Sequence, residues 1–129
     1  MSKRILIFIV DDDPFINQLV VKRFNSDEFL VEAFEYGEDC LEALHRNPDI
    51  VILDYFFFLS GKKVLNGMEI LDRLRERRPD VPVIMLSAQD RGDVVLELAR
   101  KGISDYVIKD NSLIANLETA ISEIIGSNT

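Results

Sequence analysis

The stretch DIVILD, residues 49–54, decides the fold: four consecutive branched aliphatic residues, Ile50, Val51, Ile52 and Leu53, stand between two aspartates. An apolar run without polar alternation suits a parallel strand covered on both faces, although a run this short is also compatible with a buried helical segment. In an open α/β sheet, ligands gather in the crevice outside the carboxyl ends of the strands. A carboxylate in the position of Asp54 would therefore meet solvent while its strand is buried, and it can react.

Outward from this strand, apolar runs alternate with amphipathic helical patterns, the signature of βαβ units and a parallel sheet; five such pairs can be read. The first strand covers about residues 4–10. Its helix opens with Asp13 as N-cap and Pro14 at the first helical position, and Phe15, Leu19 and Phe24, with Ile16 and Val20 beside them, form the apolar face. The second strand, near residues 29–34, alternates more and suits a sheet edge. The second helix, about residues 38–46, stops before Pro48 with Leu41 and Leu44 inward. The third, about residues 67–77, buries Ile70, Leu71 and Leu74 and ends at Pro79. The fourth strand, residues 83–86, delivers Ser87 and Ala88 to the edge that holds Asp54. A helix over about residues 91–101 follows, with Gly102 fitting a left-handed cap. The fifth strand, residues 106–108, brings Lys109 to the same edge, and the last helix carries Leu113, Leu117, Ile121 and Ile124 on one face.

At 129 residues the chain reads as one domain, residues 1–129, with no output domain, large enough to bury a core without disulfides or structural metal. The hydrophobic content of 47% is ordinary, and no apolar run approaches the roughly 18 residues of a membrane span. The net charge of -8 repels phosphate backbones, which argues against direct nucleic-acid binding. The basic cluster of Arg73, Arg75, Arg77 and Arg78 reads as a solvated helix end favoured by the helix dipole. The lone Cys40 reads as a small apolar filler, and with the missing signal peptide it points to the cytoplasm.

Three strand ends supply charged groups to one crevice: Asp11, Asp12 and Asp13 after strand one, Asp54 after strand three, and Lys109 after strand five. Ser87 adds a hydroxyl. Two carboxylates about 4 Å apart repel by about 4 kcal/mol at an effective dielectric near 20, so such a cluster needs a cation to stay ionised. Mg²⁺ suits it, because it takes oxygen ligands, binds through one or two carboxylates and leaves positions for phosphate oxygens. For Asp13 the helix cap is the preferred role.

The segments IFIVDDDPF (residues 7–15), DIVILD, MLSA ending at Ala88, and KGISDYVIK ending at Lys109 closely resemble the receiver domain of two-component response regulators, the CheY-like family, over residues 4–125. The resemblance implies a doubly wound (βα)5 fold, a five-stranded parallel sheet of order 2-1-3-4-5. It implies that Asp11 and Asp12 hold Mg²⁺ together with Asp54 and the main-chain carbonyl of Phe56. Asp54 is then the acceptor of a phosphoryl group from a sensor histidine kinase or phosphotransfer protein. Ser87 and Lys109 bind the phosphoryl oxygens, and Ser87 and Tyr106 switch the surface of the fourth helix, fifth strand and fifth helix. On this reading the chain is a signalling module, not a metabolic enzyme.

Two features depart from the family pattern. Lys109 is followed by Asp110 where the family usually has a cis proline, and a cis bond without proline costs about 3–4 kcal/mol, so a trans bond is expected. The loop YFFFLSGKKVLNG, from Tyr55 through Asn66 to Gly67, is roughly five residues longer than the family's and unusually aromatic. Two readings stand: a hairpin packing on its own domain, or an apolar contact surface for the kinase, a phosphotransfer domain or a second copy of the chain in a homodimer. Two rival functions carry weight. A haloacid dehalogenase-type phosphatase would use Asp11 and Asp13 as its DxD pair, and a pseudo-receiver would keep the fold and act by protein contact alone.

Overall fold

The computed structural model describes residues 4–55, 67–88 and 92–127. The elements run β1 (Ile5–Val10), α1 (Pro14–Phe24), β2 (Phe29–Phe34), α2 (Gly37–Glu42), a 3-10 turn (Leu44–Arg46), β3 (Ile50–Asp54), α3 (Gly67–Arg77), β4 (Val83–Ser87), α4 (Gly92–Arg100), β5 (Asp105–Ile108) and α5 (Leu113–Ser127). The strands form one parallel sheet of order β2-β1-β3-β4-β5, as the alternation of patterns and the family resemblance implied.

DIVILD is the central strand, buried along all of β3. Its first aspartate does structural work: Asp49 Oδ2 accepts from Leu6 N–H at 2.8 Å while its own N–H donates to the Leu6 carbonyl at 2.8 Å, which fixes where β1 and β3 start. Alternation along the strands then divides the core. Phe8, Val10, Val51, Leu53, Val83 and Met85 meet α2, α3 and α4 on one face; Ile7, Ile9, Ile50, Ile52, Ile84 and Leu86 meet α1 and α5 on the other. Chain order reverses between β1 and β3, so the carboxyl ends of these two neighbours flank the topological switch point.

Local signals explain the element ends. Asp13 caps α1, accepting from Phe15 N–H at 2.9 Å, and Pro14 occupies the first turn. Gly102 adopts φ +81° just past α4, a conformation that favours glycine. Cys40 is buried, and burial pushes its thiol up to about 12, which suits an inert filler.

Three differences from the sequence reading have physical causes. Phe15 is 67% exposed, because the face of α1 that meets the sheet is set by the four-residue steps Ile16, Val20 and Phe24. The second helix is shorter than the pattern suggested. It ends at Glu42 and tightens into the 3-10 turn, with Asn47 at φ 58° turning the chain before Pro48. The basic cluster is not simply a solvated face. Arg75 donates to the carbonyls of Val81 (2.6 Å), Gly102 (2.8 Å), Lys101 (3.3 Å) and Arg78 (3.3 Å), so one guanidinium gathers the turns after α3 and α4. Arg77 donates to Leu41 O at 3.2 Å and Arg78 to Leu44 O at 2.9 Å, satisfying carbonyls at the end of α2 and in the 3-10 turn. Lys101 pairs with Asp72 at 2.6 Å beside the Arg75 clasp.

Hydrogen bonds to charged groups contribute about 1.5–3 kcal/mol when partly buried. Arg75→Ala is therefore expected to lower unfolding stability by about 2 kcal/mol, read as a shift of the urea midpoint with unchanged slope. A midpoint equal to wild type would show that the clasp contributes nothing.

Candidate phosphoacceptor site

Parallel registration assembles the site. Val10 pairs with Leu53 and Asp54 with Leu86, so the chain leaving β1 at Asp11 lies level with the end of β3. Ser87 pairs with Ile108, and Lys109 N–H donates to Ser87 O at 2.8 Å, so β5 ends beside β4. The edge thereby collects Asp11, Asp12, Asp54, Ser87 and Lys109, the residues singled out from the sequence. Asp11 is fully buried and Asp54 is 2% exposed.

One oxygen each from Asp11, Asp12 and Asp54 lie within 4.8 Å of one another. Lys109 Nζ stands 2.7 Å from Asp11 Oδ2 and 3.0 Å from Asp54 Oδ1. Asp11 Oδ1 also accepts Asp13 N–H at 2.9 Å. Asp11 Oδ2 is buried and has the Lys109 ammonium as its ion-pair partner. Among the described residues three carboxylates face one ammonium, an excess of two negative charges that a divalent cation would balance. The all-oxygen donor set, with partly buried Asp12 at its mouth, fits a hard cation and is consistent with the metal site of receiver domains.

The electrostatics follow from burial. Desolvation raises the Asp11 carboxyl above its ordinary range, with Lys109 and the Asp13 amide opposing and Asp12 adding to the rise. Desolvation also works against the Lys109 ammonium, but Asp11 and Asp54 outweigh it and hold its affinity for the proton above normal.

Asp110 resolves the placement of Lys109. No cis peptide occurs among the described residues, so the Lys109–Asp110 bond is trans, as expected without proline. Asp110 Oδ1 accepts Ser112 N–H at 2.8 Å and Asp110 O accepts Leu113 N–H at 3.1 Å. This Asx-type turn leads into α5 while the lysine amine still reaches both carboxylates. Asp13 faces outward as the cap of α1, which leaves the DxD pair of a dehalogenase unassembled. Tyr106 pairs with Met85, two residues before Ser87, so Tyr106 and Ser87 share the sheet face covered by α3 and α4; Tyr106 is half-buried there.

Phe56, expected to offer a carbonyl, and the rest of the aromatic loop, residues 56–66, lie outside the described residues. The two ends of that segment do meet: Tyr55 N–H donates to Leu86 O at 2.8 Å, and Gly67 N–H donates to Tyr55 O at 3.0 Å. Tyr55 and Gly67 are thus held side by side at the end of β3. Sequence reading treated Gly67 only as a helix start, yet a Cβ there would fall 2.4 Å from Asp54 O and 2.6 Å from Tyr55 Cα. The head of α3 lies directly on the backbone of Asp54. A glycine at the start of a helix that packs behind the reactive strand was the available signal.

Two outcomes are expected. Gly67→Ala must displace backbone and should lower stability by about 1–3 kcal/mol or more, read by denaturant unfolding. Asp11 is raised in the folded state, so its ionisation works against folding as pH climbs above the ordinary value of 3.8. Asp11→Asn should therefore raise the metal-free melting temperature at neutral pH, an advantage that shrinks as pH falls towards that value. A lower melting temperature for Asp11→Asn at neutral pH would contradict this reading of the cluster.

The sequence and the fold are similar to those of known proteins. Residues 7–122 match the model of the response regulator receiver domain. The chain is 30% identical over 104 residues to the nitrogen assimilation regulatory protein NtrX of Azorhizobium caulinodans, covering 80% of this chain and 22% of that protein. It is 31% identical over 104 residues to the transcriptional regulatory protein CssR of Bacillus subtilis, covering 80% of this chain and 44% of that one. The chain thus spans less than half the length of these relatives. The fold superposes on the signal receiver domain of a putative Luxo repressor protein from Vibrio parahaemolyticus with a TM-score of 0.84, at 21% identity, covering 97% of this chain and 92% of that one. Chemotaxis protein CheY4 of Vibrio cholerae gives 0.81 at 20% identity, covering 95% and 99%. With this fold, this acidic pocket and a match over residues 7–122, the chain belongs to the CheY-like response regulator receiver domains of two-component systems, which are signalling phosphoacceptors, not metabolic enzymes.

Proposed function

We propose that Asp54 accepts a phosphoryl group from a sensor histidine kinase or a phosphotransfer protein in a Mg²⁺-dependent step. The observation that carries this reading is the Lys109 amine, 2.7 Å from Asp11 and 3.0 Å from Asp54, beside a cluster of three carboxylates. Asp11, Asp12 and Asp54 would hold the ion, with the Phe56 carbonyl as a further ligand. When bound, Mg²⁺ supplies neutralisation of charge on the transferring phosphoryl group.

The chain's own residues do the remaining work. An Asp54 carboxylate oxygen attacks phosphorus, a P–O bond forms, and the P–N bond to the donor's histidine breaks with its electron pair leaving on nitrogen. No proton has to be taken from the nucleophile, so no general base is required. Lys109 balances charge on the equatorial oxygens and the Ser87 hydroxyl donates to one of them; positioning and charge stabilisation of this kind dominate phosphoryl transfer. The new acyl phosphate adds charge beside Ser87 and Lys109. Movement of the Ser87 hydroxyl opens room on the face it shares with Tyr106, and that ring carries the change to α4, β5 and α5. In this reading the domain works in the cytoplasm. No helix of the described residues is long and apolar enough to cross a membrane.

The competing pseudo-receiver would bind neither metal nor phosphoryl group. Incubation with acetyl phosphate and Mg²⁺, followed by mass spectrometry with the modified residue located, separates the two. The expected result is one phosphoryl group on Asp54 in the wild type and none in Asp54→Asn. Undiminished labelling of Asp54→Asn would sink the assignment, and no labelling of the wild type would favour the pseudo-receiver.

A further inference from the structure

Helix α1 places a polar side chain behind the acidic pair. Asn17 Nδ2 donates to the main-chain carbonyl of Asp11 at 2.7 Å and, more weakly, to that of Phe34 at 3.5 Å. Phe34 O also takes Asp11 N–H at 3.1 Å. The peptides on both sides of Asp11 are thus tied to one point where β1, β2 and α1 meet. The carbonyl held by Asn17 belongs to the peptide joining Asp11 to Asp12, and the rotation of that peptide sets where the Asp12 carboxylate points. Asp11 is held through its own carboxylate by Asp13 N–H and Lys109. The Asp11–Asp12 peptide has Asn17.

The arrangement has a cost. Asn17 Oδ1 is buried with no hydrogen-bond partner among the described residues. Turning the amide over would set that oxygen against two carbonyl oxygens, so its orientation is dictated by the donors. A buried acceptor without a partner destabilises, and each such group asks for a reason. An isosteric leucine would lack the orphan oxygen. What leucine could not do is hold the Asp11 carbonyl.

We infer that Asn17 is a positioning residue for the metal-binding acidic pair, acting through the Asp11–Asp12 peptide and not by touching the ion. The inference rests on the Mg²⁺ reading above. Its effect resembles that of other groups that orient metal ligands from behind, whose removal costs about 10–100-fold in metal affinity.

The test is calorimetric titration of Mg²⁺ into wild type, Asn17→Leu and Asn17→Ala, with melting curves of each in EDTA. The expected result is a dissociation constant weakened about tenfold in both variants, while Asn17→Leu keeps a metal-free melting temperature close to wild type. A residue that only filled space would give the opposite: leucine would bind Mg²⁺ like wild type. Unchanged affinity in a folded variant overturns the inference and leaves the Mg²⁺ reading intact. Failure of both variants to fold assigns Asn17 a structural role and overturns it too. Absence of Mg²⁺ binding by the wild type itself overturns both readings.

Discussion

A single ammonium group shared between two buried carboxylates governs this domain. Lys109 reaches Asp11 and Asp54 together, and without it three acidic side chains would face one another in a pocket from which water is largely removed. The lysine offsets only part of that charge. Among the described residues the cluster keeps an excess of negative charge, which suits a hard cation. Burial raises the Asp11 carboxyl above its ordinary range even with Lys109 beside it.

Most of the surrounding architecture can be understood as keeping that cluster from relaxing. Parallel registration brings four strand ends to one edge. Gly67 lets α3 lie directly against the backbone of Asp54. The Asp110 turn supplies an entry to α5 without proline, so Lys109 is carried to its partners by a trans backbone. Further away, Arg75, Arg77 and Arg78 stitch carbonyls of α2, the 3-10 turn and the end of α4 to the end of α3.

The fold was legible because it rests on local signals. Apolar runs marked β1, β3 and β4, a cap and a proline marked the start of α1, and Gly102 marked the end of α4. The site was legible to the extent that strand ends in a parallel sheet share an edge: Asp11, Asp54, Ser87 and Lys109 needed only the topology to bring them together. What could not be read depends on neighbours distant in the chain. Arg78 looks like a solvated charge until Leu44, 34 residues away, is beside it. Asn17 and Gly67 carry no chemistry of their own, and their importance lies in which backbone they touch. Phe15 looked like core because it is apolar; its exposure follows from the face of α1 set by Ile16, Val20 and Phe24.

The central claim is that Asp54 and its cation form a receptor for a tetrahedral phosphoryl group. Beryllofluoride, which mimics that group on a carboxylate without needing a kinase, tests it most directly by fluorine NMR. With Mg²⁺ the expected result is a set of bound fluorine signals that vanish on chelation, accompanied by amide shifts at Asp54, Ser87 and Lys109. No bound signal with Mg²⁺ present, or equal binding after its removal, would contradict the claim.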